Sequence, residues 1–339
     1  MLPTLMSDAS ATQPLEFEQP LAKLETQIHE LEALQDGRAG DYATELRELR
    51  DNHTNLLRKT YQNLSAWETV QVARHPERPM MMDYVKMLCR EFREVHGDRR
   101  YGDDRAVRCG LARVAGHKVM LVGTYKGRGT KEKIACNFGL AHPEGYRKAL
   151  RAMRLAEKFG LPVVTLIDTP GAYPGIGAEE RGQAESIALN LLEMSRLRTP
   201  VVSVVIGEGG SGGALGIGVA DRVAMMQHAW YSVISPEACS SILFRGPEGT
   251  QDMAEALKLT APHLKRHGII DQIIPEPLGA AHRDPRAAAF QLEQYLARTL
   301  RQLKKLDVQE LVDERYAKFR RMGAYAEPAA EVAYASAAG

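Results

Sequence analysis

The sequence has 339 residues, of which 44% are hydrophobic and 26% charged, a balance typical of a soluble globular protein with a substantial core. Lysine and arginine number 44 against 43 aspartate and glutamate residues, so the formal net charge of +1 argues against a general attraction to nucleic acid or to an anionic membrane. The four cysteines form no Cys-x-x-Cys pair, which argues against a disulfide framework or a zinc site and favours reduced thiols in the cytoplasm.

The N-terminal part of the chain carries a helical pattern. After a loose lead-in over 1–20, Leu21, Leu24 and Ile28 recur at steps of three and four residues, which indicates an amphipathic helix. A glycine-containing break and a second helical pattern follow. The sequence therefore predicts a helical arm over 21–80, which either packs on its own domain or serves dimerisation or partner docking.

The segment 81–306 has the alternating pattern of an α/β domain. A buried strand, a helix and a second buried strand follow one another, which predicts a crossover between parallel strands. A C-terminal helix and a flexible tail are predicted over 307–339. The predicted elements of the domain are a helix over about 82–95, a hairpin of strands 107–114 and 118–125, a helix over 145–159, strands at 162–168 and 200–206, an intervening helix over 179–197, and a long helix over 285–306.

A run of seven glycines lies within residues 206–218, directly after the second buried strand. Such density indicates a backbone that turns sharply or approaches a ligand or another backbone closely. The run matches the dinucleotide fingerprint Gly-x-Gly-x-x-Gly from Gly207 to Gly212. The short spacing from Gly213 to Asp221 leaves no room for the usual crossover helix, and the carboxylate of Glu208 would repel a pyrophosphate. These two features argue against a dinucleotide site.

The same run also matches Gly-x-Ser-x-Gly, the nucleophile elbow, with Ser211 as the nucleophile of a self-contained hydrolase. A triad would then need an acid and a histidine later in the chain. By order along the chain the candidates are Asp221 or Asp271 with His263, His267 or His282. The motif by itself therefore leaves a hydrolase open as an alternative function.

A second segment rich in glycine and proline, Asp168-Thr-Pro-Gly-Ala-Tyr-Pro-Gly175, follows the first buried strand. The chain has no Gly-x-x-x-x-Gly-Lys-Ser/Thr loop upstream, so a GTPase is not indicated. Two adjacent parallel strands whose carboxyl ends both run into glycine-rich and proline-rich loops predict a ligand cleft at that edge of the sheet.

Three long segments resemble the α subunit of bacterial acetyl-CoA carboxylase carboxyltransferase. They are the loop and following helix start from Asp168 to Gly182, the glycine run from Ile206 to Leu215, and Tyr231-Ser-Val-Ile-Ser-Pro-Glu237. Shorter matches extend the likeness over nearly the whole chain. The resemblance implies a crotonase-like α/β fold, a spiral of β-β-α units with the N-terminal helical arm attached.

The resemblance also implies a reaction, the transfer of a carboxyl group from carboxybiotin to acetyl-CoA to form malonyl-CoA, the first committed step of fatty acid synthesis. Negative charge develops on the ureido oxygen of biotin and on the thioester oxygen, and fixed backbone N–H groups stabilise such oxyanions. We expect Gly212 and Gly213 to supply the N–H groups for the biotin ureido oxygen, with Ser211 as a small residue of the turn. A non-catalytic scaffold subunit is a further alternative.

Other residues are expected to bind substrate. Gly171, Ala172, Gly209 and Gly210 lie on the two loops that would wall the cleft. The basic cluster from Lys126 to Lys133 is either a solvated loop or a clamp for the transferred carboxylate, in which Arg128 and Lys131 are the candidate ligands.

The resemblance implies partners that complete the enzyme. Acetyl-CoA would bind mainly to a carboxyltransferase β subunit, which would also carry the family's zinc, in an assembly of two α and two β subunits. The carboxybiotin would arrive on a separate biotin carboxyl carrier protein, loaded by a biotin carboxylase. No bound metal, no covalently bound cofactor, and neither a membrane nor a nucleic-acid site is expected for this chain.

Overall fold

The computed structural model describes residues 14–36 and 42–323. The predicted tail beyond residue 323 and most of the predicted lead-in lie outside the described residues. None of the helices in these two ranges is long and apolar enough to cross a membrane.

A single sheet organises the described part of the chain. Its strands run in the order β1-β2-β3-β4-β5-β6-β8, and β7 pairs with an extension of β5. The first three strands are antiparallel neighbours, and from β3 onwards every pairing is parallel. The strands are β1 Cys89–Glu94, β2 Val107–Val114, β3 His117–Thr124, β4 Val163–Thr169, β5 Val201–Gly210, β6 Arg222–Met226, β7 Trp230–Ser232 and β8 Gln272–Ile274.

The central strands β4 and β5 are buried along their whole length. Both begin with apolar residues that are mainly valine and isoleucine, which suit a strand covered on its two faces. They pair in parallel from Val163 opposite Val201 to Thr169 opposite Gly209, so their carboxyl ends lie side by side. The predicted crossover and parallel sheet are confirmed.

Fourteen α-helices in the described residues surround the sheet and form the arm. Their bounds are α1 Gln19–Asp36, α2 Ala43–Gln62, α3 Ala66–Ala73, α4 Met81–Leu88, α5 Gly129–Ala135, α6 Pro143–Lys158, α7 Ile176–Glu180, α8 Gln183–Arg196, α9 Ser211–Leu215, α10 Pro236–Phe244, α11 Thr250–Ala256, α12 Ala261–Arg266, α13 Pro285–Leu303 and α14 Val308–Arg320.

The prediction of one helix over 82–95 was wrong in its second half. The helix ends at Leu88, and the following residues form β1, which pairs with β2 through a bulge between Arg90 and Arg93. The segment Cys89-Arg-Glu-Phe-Arg-Glu94 carries no two-residue alternation that would have indicated a strand, because its apolar residues Cys89 and Phe92 are three positions apart. Pairing with β2 therefore decided that these residues form a strand and do not continue helix α4.

Helix α3 was not predicted, although its start carries a standard signal. The Ser65 hydroxyl accepts the backbone N–H of Glu68 at 3.2 Å, and the Glu68 carboxylate accepts the backbone N–H of Ser65 at 2.7 Å. This is a capping box, which satisfies two N–H groups that a helix start leaves unpaired. Helix α3 matters because it carries Arg74 to the candidate site.

The arm formed by α1 and α2 packs on its own chain. Its apolar anchor combines Leu21, Leu57 and Tyr61 with Val72 and Ala280. Beside that anchor, the hydroxyl of Tyr61 donates to the buried carboxylate of Glu18 at 2.6 Å, and Arg283 donates to the same carboxylate at 3.2 Å. The arm is therefore held by a small apolar cluster with a buried polar contact at its edge.

The C-terminal helix α14 is fastened through one arginine. Arg315 is 1% exposed and donates to both carboxylate oxygens of Asp221, at 2.7 and 2.9 Å. Its other N–H groups donate to the carbonyl oxygens of Met194, Leu197 and Thr199. Because the guanidinium is fully paired, its burial is compatible with a stable fold.

Candidate active site

Two loops meet at the carboxyl edge of the central strands. One follows β4 through Pro170, Gly171 and Ala172, and the other is the sharp turn from Gly210, the last residue of β5, into the short helix α9. Ala172 also forms a bridge with Ala141, which ties the first loop to the segment before α6. The structure thus brings together six of the eight predicted site residues: Gly171, Ala172, Gly209, Gly210, Gly212 and Gly213.

Most glycines of the run are required by close contact with neighbouring atoms. A Cβ on Gly213 would lie 2.3 Å from the carbonyl carbon of Gly171, and one on Gly210 would lie 2.1 Å from the carbonyl oxygen of Pro170. Gly212 differs, because the nearest atom to a Cβ at that position would be a methyl carbon of Ile187 at 3.7 Å. The run therefore permits the two loops to touch, with Gly212 on the open side.

The N–H groups of Gly212 and Gly213 belong to the first turn of α9. The first N–H groups of a helix have no acceptor within the helix, so they are available to an external anion. Ser211 precedes them with φ of 50°, a left-handed conformation that is uncommon for a residue other than glycine. This conformation turns the chain sharply from β5 into α9.

A chain of ion pairs lies beside these loops. Lys126, just after β3, has its Nζ at 2.6 Å from both Asp168 of β4 and Glu208 of β5. The other oxygen of Glu208 accepts Nε of Arg74 at 2.5 Å, and Arg74 also pairs with Glu237 of α10. The network joins the ends of three strands to α3 and α10.

Burial and charge act in opposite directions on this network. Burial alone would lower the pKa of Lys126, but the carboxylates of Asp168 and Glu208 outweigh it and hold that pKa above its ordinary value. Burial likewise opposes ionisation of Glu208, yet Lys126 and Arg74 hold the pKa of Glu208 below its ordinary value. Lys126 and Glu208 therefore stay charged near neutral pH.

Asp168 links the network to the glycine run. Its Oδ1 accepts the backbone N–H of Glu208 at 2.9 Å, and a Cβ on Gly207 would lie 2.5 Å from the same oxygen. Only glycine at 207 leaves room for this carboxylate. The ends of β4 and β5 are thereby fixed relative to each other by side chain as well as by backbone.

The two predicted basic ligands stand apart from the glycine loops. The guanidinium of Arg128 donates to Asp83 at 2.6 Å and to the carbonyl oxygens of Pro76 and Arg78 at 2.8 and 3.1 Å. Lys131 is exposed on α5, a short helix where a loop was expected. Arg128 therefore already holds the segment after α3, while Lys131 faces solvent.

Four of the five groups proposed for a hydrolase triad are engaged elsewhere. Asp221 pairs with Arg315, and Asp271 pairs with Lys318. His263 hydrogen-bonds Thr260 at 2.8 Å, and His282 lies 3.6 Å from Glu18 in the arm contact. Within residues 14–36 and 42–323, no hydrogen bond reaches the hydroxyl of Ser211.

Sequence reasoning placed Lys126 only in a basic cluster and Asp168 only in a cleft loop, and it gave Arg74 and Glu208 no place in the site. The available signal was a glutamate inside a buried strand, since a buried carboxylate needs a cationic partner. Which cation would pair with Glu208 could not be read from the sequence, because Arg74 and Lys126 lie 134 and 82 positions away.

One group of side chains in the described ranges has the composition of a metal site. The potential ligand atoms of Glu18, His75 and His282 lie within 4.8 Å of one another. The two imidazole rings are stacked, however, with centroids 3.9 Å apart and planes at 19°. Ring lone pairs lie in the ring planes, so they do not converge on one ion here, and Arg283 already neutralises Glu18.

Comparisons with known proteins give a consistent result. The family described as acetyl co-enzyme A carboxylase carboxyltransferase-like matches residues 14–323. The chain is 55% identical over 309 residues to the acetyl-coenzyme A carboxylase carboxyl transferase subunit alpha of Hydrogenovibrio crunogenus, covering 91% of this chain and 97% of that relative. It is 53% identical to the corresponding subunit of Rhodopirellula baltica, covering 92% and 98%.

Solved structures with the same fold share little sequence with this chain. Transcarboxylase 12S aligns with a TM-score of 0.54 and 20% identity over 66% of this chain and 41% of the other. A Pseudomonas malonate decarboxylase heterodimer aligns with a TM-score of 0.53 and 16% identity over 66% and 91%. These likenesses concern the fold, and they confirm the crotonase-like α/β architecture expected from the sequence.

Proposed function

Because this chain belongs to the family of acetyl-CoA carboxylase carboxyltransferase α subunits, we propose that it supplies half of an active site that converts acetyl-CoA to malonyl-CoA. The C–N bond between the carboxyl group and biotin breaks, and a C–C bond forms at the methyl carbon of acetyl-CoA. The proton lost from that methyl group goes to the ureido nitrogen of biotin. No protein base is required in this scheme, in keeping with the dispersed triad candidates.

The observation that carries the proposal is the contact between the two loops at Gly213 and Gly171. A Cβ on Gly213 would collide with Gly171, whereas Gly212 has space beside it, so the turn that carries these two N–H groups is held by close packing on one side. Backbone donors fixed in advance stabilise a developing oxyanion without reorganisation. We assign them to the ureido oxygen of biotin, with Gly171, Ala172, Gly209 and Gly210 as the surrounding wall.

The basic residues have separate tasks in this proposal. Lys126 and Arg74 are positioning residues, because they hold the carboxylates that fix the ends of β4 and β5. Lys131 is the better candidate to contact the carboxylate of a substrate, since it is exposed. Arg128 would do so only by giving up its contacts with Asp83 and the backbone.

The cleft is completed by other subunits in this proposal. A β subunit would bind most of acetyl-CoA and carry zinc, two α subunits would join two β subunits, and a biotin carboxyl carrier protein charged by biotin carboxylase would deliver carboxybiotin. We place the reaction in the cytoplasm.

An exposed apolar surface lies on and beside α10. On α10, Ile242, Leu243 and Phe244 are 71%, 62% and 55% exposed, and Val233 nearby is 77% exposed. The same helix carries Glu237, which pairs with Arg74 of the ion network. Large exposed apolar patches mark interaction sites, and the continuity of this one with the cleft supports the β subunit as its occupant.

One assay tests the proposed function. Carboxyl transfer from malonyl-CoA to biocytin is measured with this chain alone, with the β subunit alone and with the two mixed. We expect activity only in the mixture, because neither half contains both substrate sites. Transfer by this chain alone would contradict the shared cleft, and a mixture without activity would contradict the function.

The conformation of Ser211 matches one feature of the alternative function, hydrolysis of an acyl-CoA thioester, which the family membership does not favour. A serine with φ of 50° between a strand and a helix has the setting of a nucleophile elbow. We expect Ser211→Ala to retain most carboxyl transfer in the mixture, since the turn needs a small residue there and the hydroxyl has no assigned task. A loss of about a thousandfold would support a nucleophile instead.

A further inference from the structure

A groove lined by arginines lies outside the glycine loops. Arg147, Arg151 and Arg154 are spaced by four and three residues on α6, so they share one face of the helix. Together with Arg100 and Asp98 they line a cavity of about 180 Å³, closed on its apolar side by Leu150 and Leu189. We call these four arginines with Asp98 the arginine groove.

The arginine groove carries more positive charge than its own acids neutralise. Asp98 accepts the backbone N–H groups of Arg100, Tyr101 and Gly102 and is bound by Nε of Arg147 at 2.8 Å. Burial opposes its ionisation, but these hydrogen bonds lower the pKa of Asp98 to about 2. The negative charge of Asp98 is therefore balanced within the groove, chiefly by Arg147, and does not neutralise the other arginines.

The remaining arginines face outward with little compensation. Arg151 donates to the carbonyl oxygens of Gly97 and His96, at 3.0 and 2.9 Å, and so keeps its charge. Arg154 is 53% exposed and pairs with Glu193 at the surface. For Arg100, no side-chain partner occurs among residues 14–36 and 42–323. An anionic partner would thus meet at least two cations that lack a carboxylate.

The arginine groove is connected to the wall of the cleft. Arg147 donates to the carbonyl oxygen of Arg181 at 2.9 Å, just before α8. Two residues later, Gln183 donates to the carbonyl oxygens of Tyr173 and Ala141 at 2.9 and 2.8 Å. Tyr173 belongs to the loop that follows β4. The groove is therefore linked through Arg147 and the start of α8 to the loop that follows β4.

We propose that the arginine groove docks the acidic face of a protein domain that brings tethered biotin to the cleft. This inference rests on the proposed function. From Arg147 to Arg154 the cations extend over about 10 Å of helix, at 1.5 Å per residue. A row of carboxylates on a protein surface matches that spread, whereas one small anion would reach only one or two of the arginines. Such complementarity chiefly raises the association rate and fixes orientation.

The test compares two acceptors of the same carboxyl group. The complex of this chain with its β subunit transfers carboxyl from malonyl-CoA either to the biotinylated carrier protein or to free biocytin. The variant Arg100→Glu with Arg154→Glu reverses two outward charges. Its matched control, Arg298→Glu with Arg301→Glu, reverses two exposed charges on α13.

We expect the groove variant to raise KM for the carrier protein by about tenfold, with kcat and the kinetics towards biocytin unchanged, as for charges that steer association. The salt dependence of kcat/KM for the carrier should also weaken, because screened attraction is lost. The α13 control should behave as wild type with both acceptors.

Other outcomes would overturn the inference. Equal losses of activity with carrier and biocytin would mean that the arginines support the cleft itself. A raised KM for malonyl-CoA would mean that they bind the phosphates of coenzyme A. Unchanged kinetics with the carrier would remove any docking role. These results presuppose an active wild-type complex; a wild type that is inactive with both acceptors would contradict the proposed function itself.

Discussion

Glycine serves two different purposes at neighbouring positions of the β5–α9 turn. At Gly213 it allows contact with Gly171, since any Cβ would collide with that backbone at 2.3 Å. At Gly212 there is space for a Cβ, so a larger residue there would leave both loops in place. Two adjacent residues with the same expected task thus differ in what substitution would do to them.

We expect Gly213→Ala to lower kcat of carboxyl transfer by at least about 100-fold, the usual effect of losing a fixed oxyanion donor. The added methyl group must push apart the loops that hold the N–H groups. Gly212→Ala is the matched control and should keep kcat within about threefold, because its N–H remains and its Cβ meets only Ile187. Equal activities of the two variants would show that loop contact is irrelevant to the reaction.

At the scale of elements, the ion network determines how the strand ends and α10 lie relative to each other. Glu208 is the centre of this network, since it pairs with both Lys126 and Arg74 and is 5% exposed. Glu237 binds the same arginine, but its side chain is 40% exposed. Water can replace the second contact far better than the first.

We expect Glu208→Gln to lower the free energy of unfolding by about 3 kcal/mol, because it removes the buried carboxylate that Lys126 and Arg74 share and leaves each cation with one carboxylate instead of two. Glu237→Gln should lower it by less than about 1 kcal/mol, as is usual for exposed pairs. Denaturant unfolding of the two variants provides the measurement. A similar small effect in both would mean that the network contributes little to holding the strand ends.

The contact of the arm with the core contains a second element-scale feature, the stacked pair His75 and His282. Burial, followed by the adjacent His282, lowers the pKa of His75 from 6.5 to about 4. Below pH 6.5 the unfolded chain takes up a proton at His75 that the folded chain does not. The stability of the folded state therefore falls as the pH drops from 6.5 to about 4, and this contribution is constant outside that range.

We expect the wild type to lose more stability than His75→Gln between pH 7 and pH 4.5, by about 2 kcal/mol, since the variant lacks the proton-linked contribution. Both proteins keep Glu18, His282 and Arg283 in the contact. Thermal or denaturant unfolding across that pH range measures the difference. Parallel pH profiles for the two proteins would contradict the assignment to His75.

On the scale of the whole molecule, the chain has an exposed apolar surface next to an open cleft. Phe244 on that surface and Phe290 on α13 are both 55% exposed, so they form a matched pair. Only Phe244 lies on the helix that is tied to the ion network through Glu237. Substitutions at Phe244 and Phe290 therefore distinguish a docking surface on α10 from the general effect of changing an exposed phenylalanine.

We expect Phe244→Asp to weaken association with the β subunit by at least about tenfold, which is 1.4 kcal/mol, because an aromatic anchor becomes a buried charge. Phe290→Asp should leave association unchanged. Titration calorimetry or sedimentation with the β subunit measures both. Equal affinities would move the β contact away from α10.

Much of the architecture was predictable from the sequence because it depends on local patterns. Runs of valine and isoleucine specify β4 and β5, glycines and prolines mark where they end, and parallel strands necessarily bring those ends to one edge. The six glycine-loop residues could therefore be placed together from sequence order alone. The long ordered matches around them carried the family resemblance, which the comparisons confirmed.

Only the tertiary structure decided which charges pair and which glycines touch. Arg74, Lys126 and Glu208 are far apart along the chain, and no periodicity relates them, so their network follows from how α3, β3 and β5 pack. For the same reason Arg128 could not be recognised from sequence as a partner of Asp83. Strand and helix formation depends mainly on neighbouring residues, whereas the pairing of buried charges depends on three-dimensional proximity.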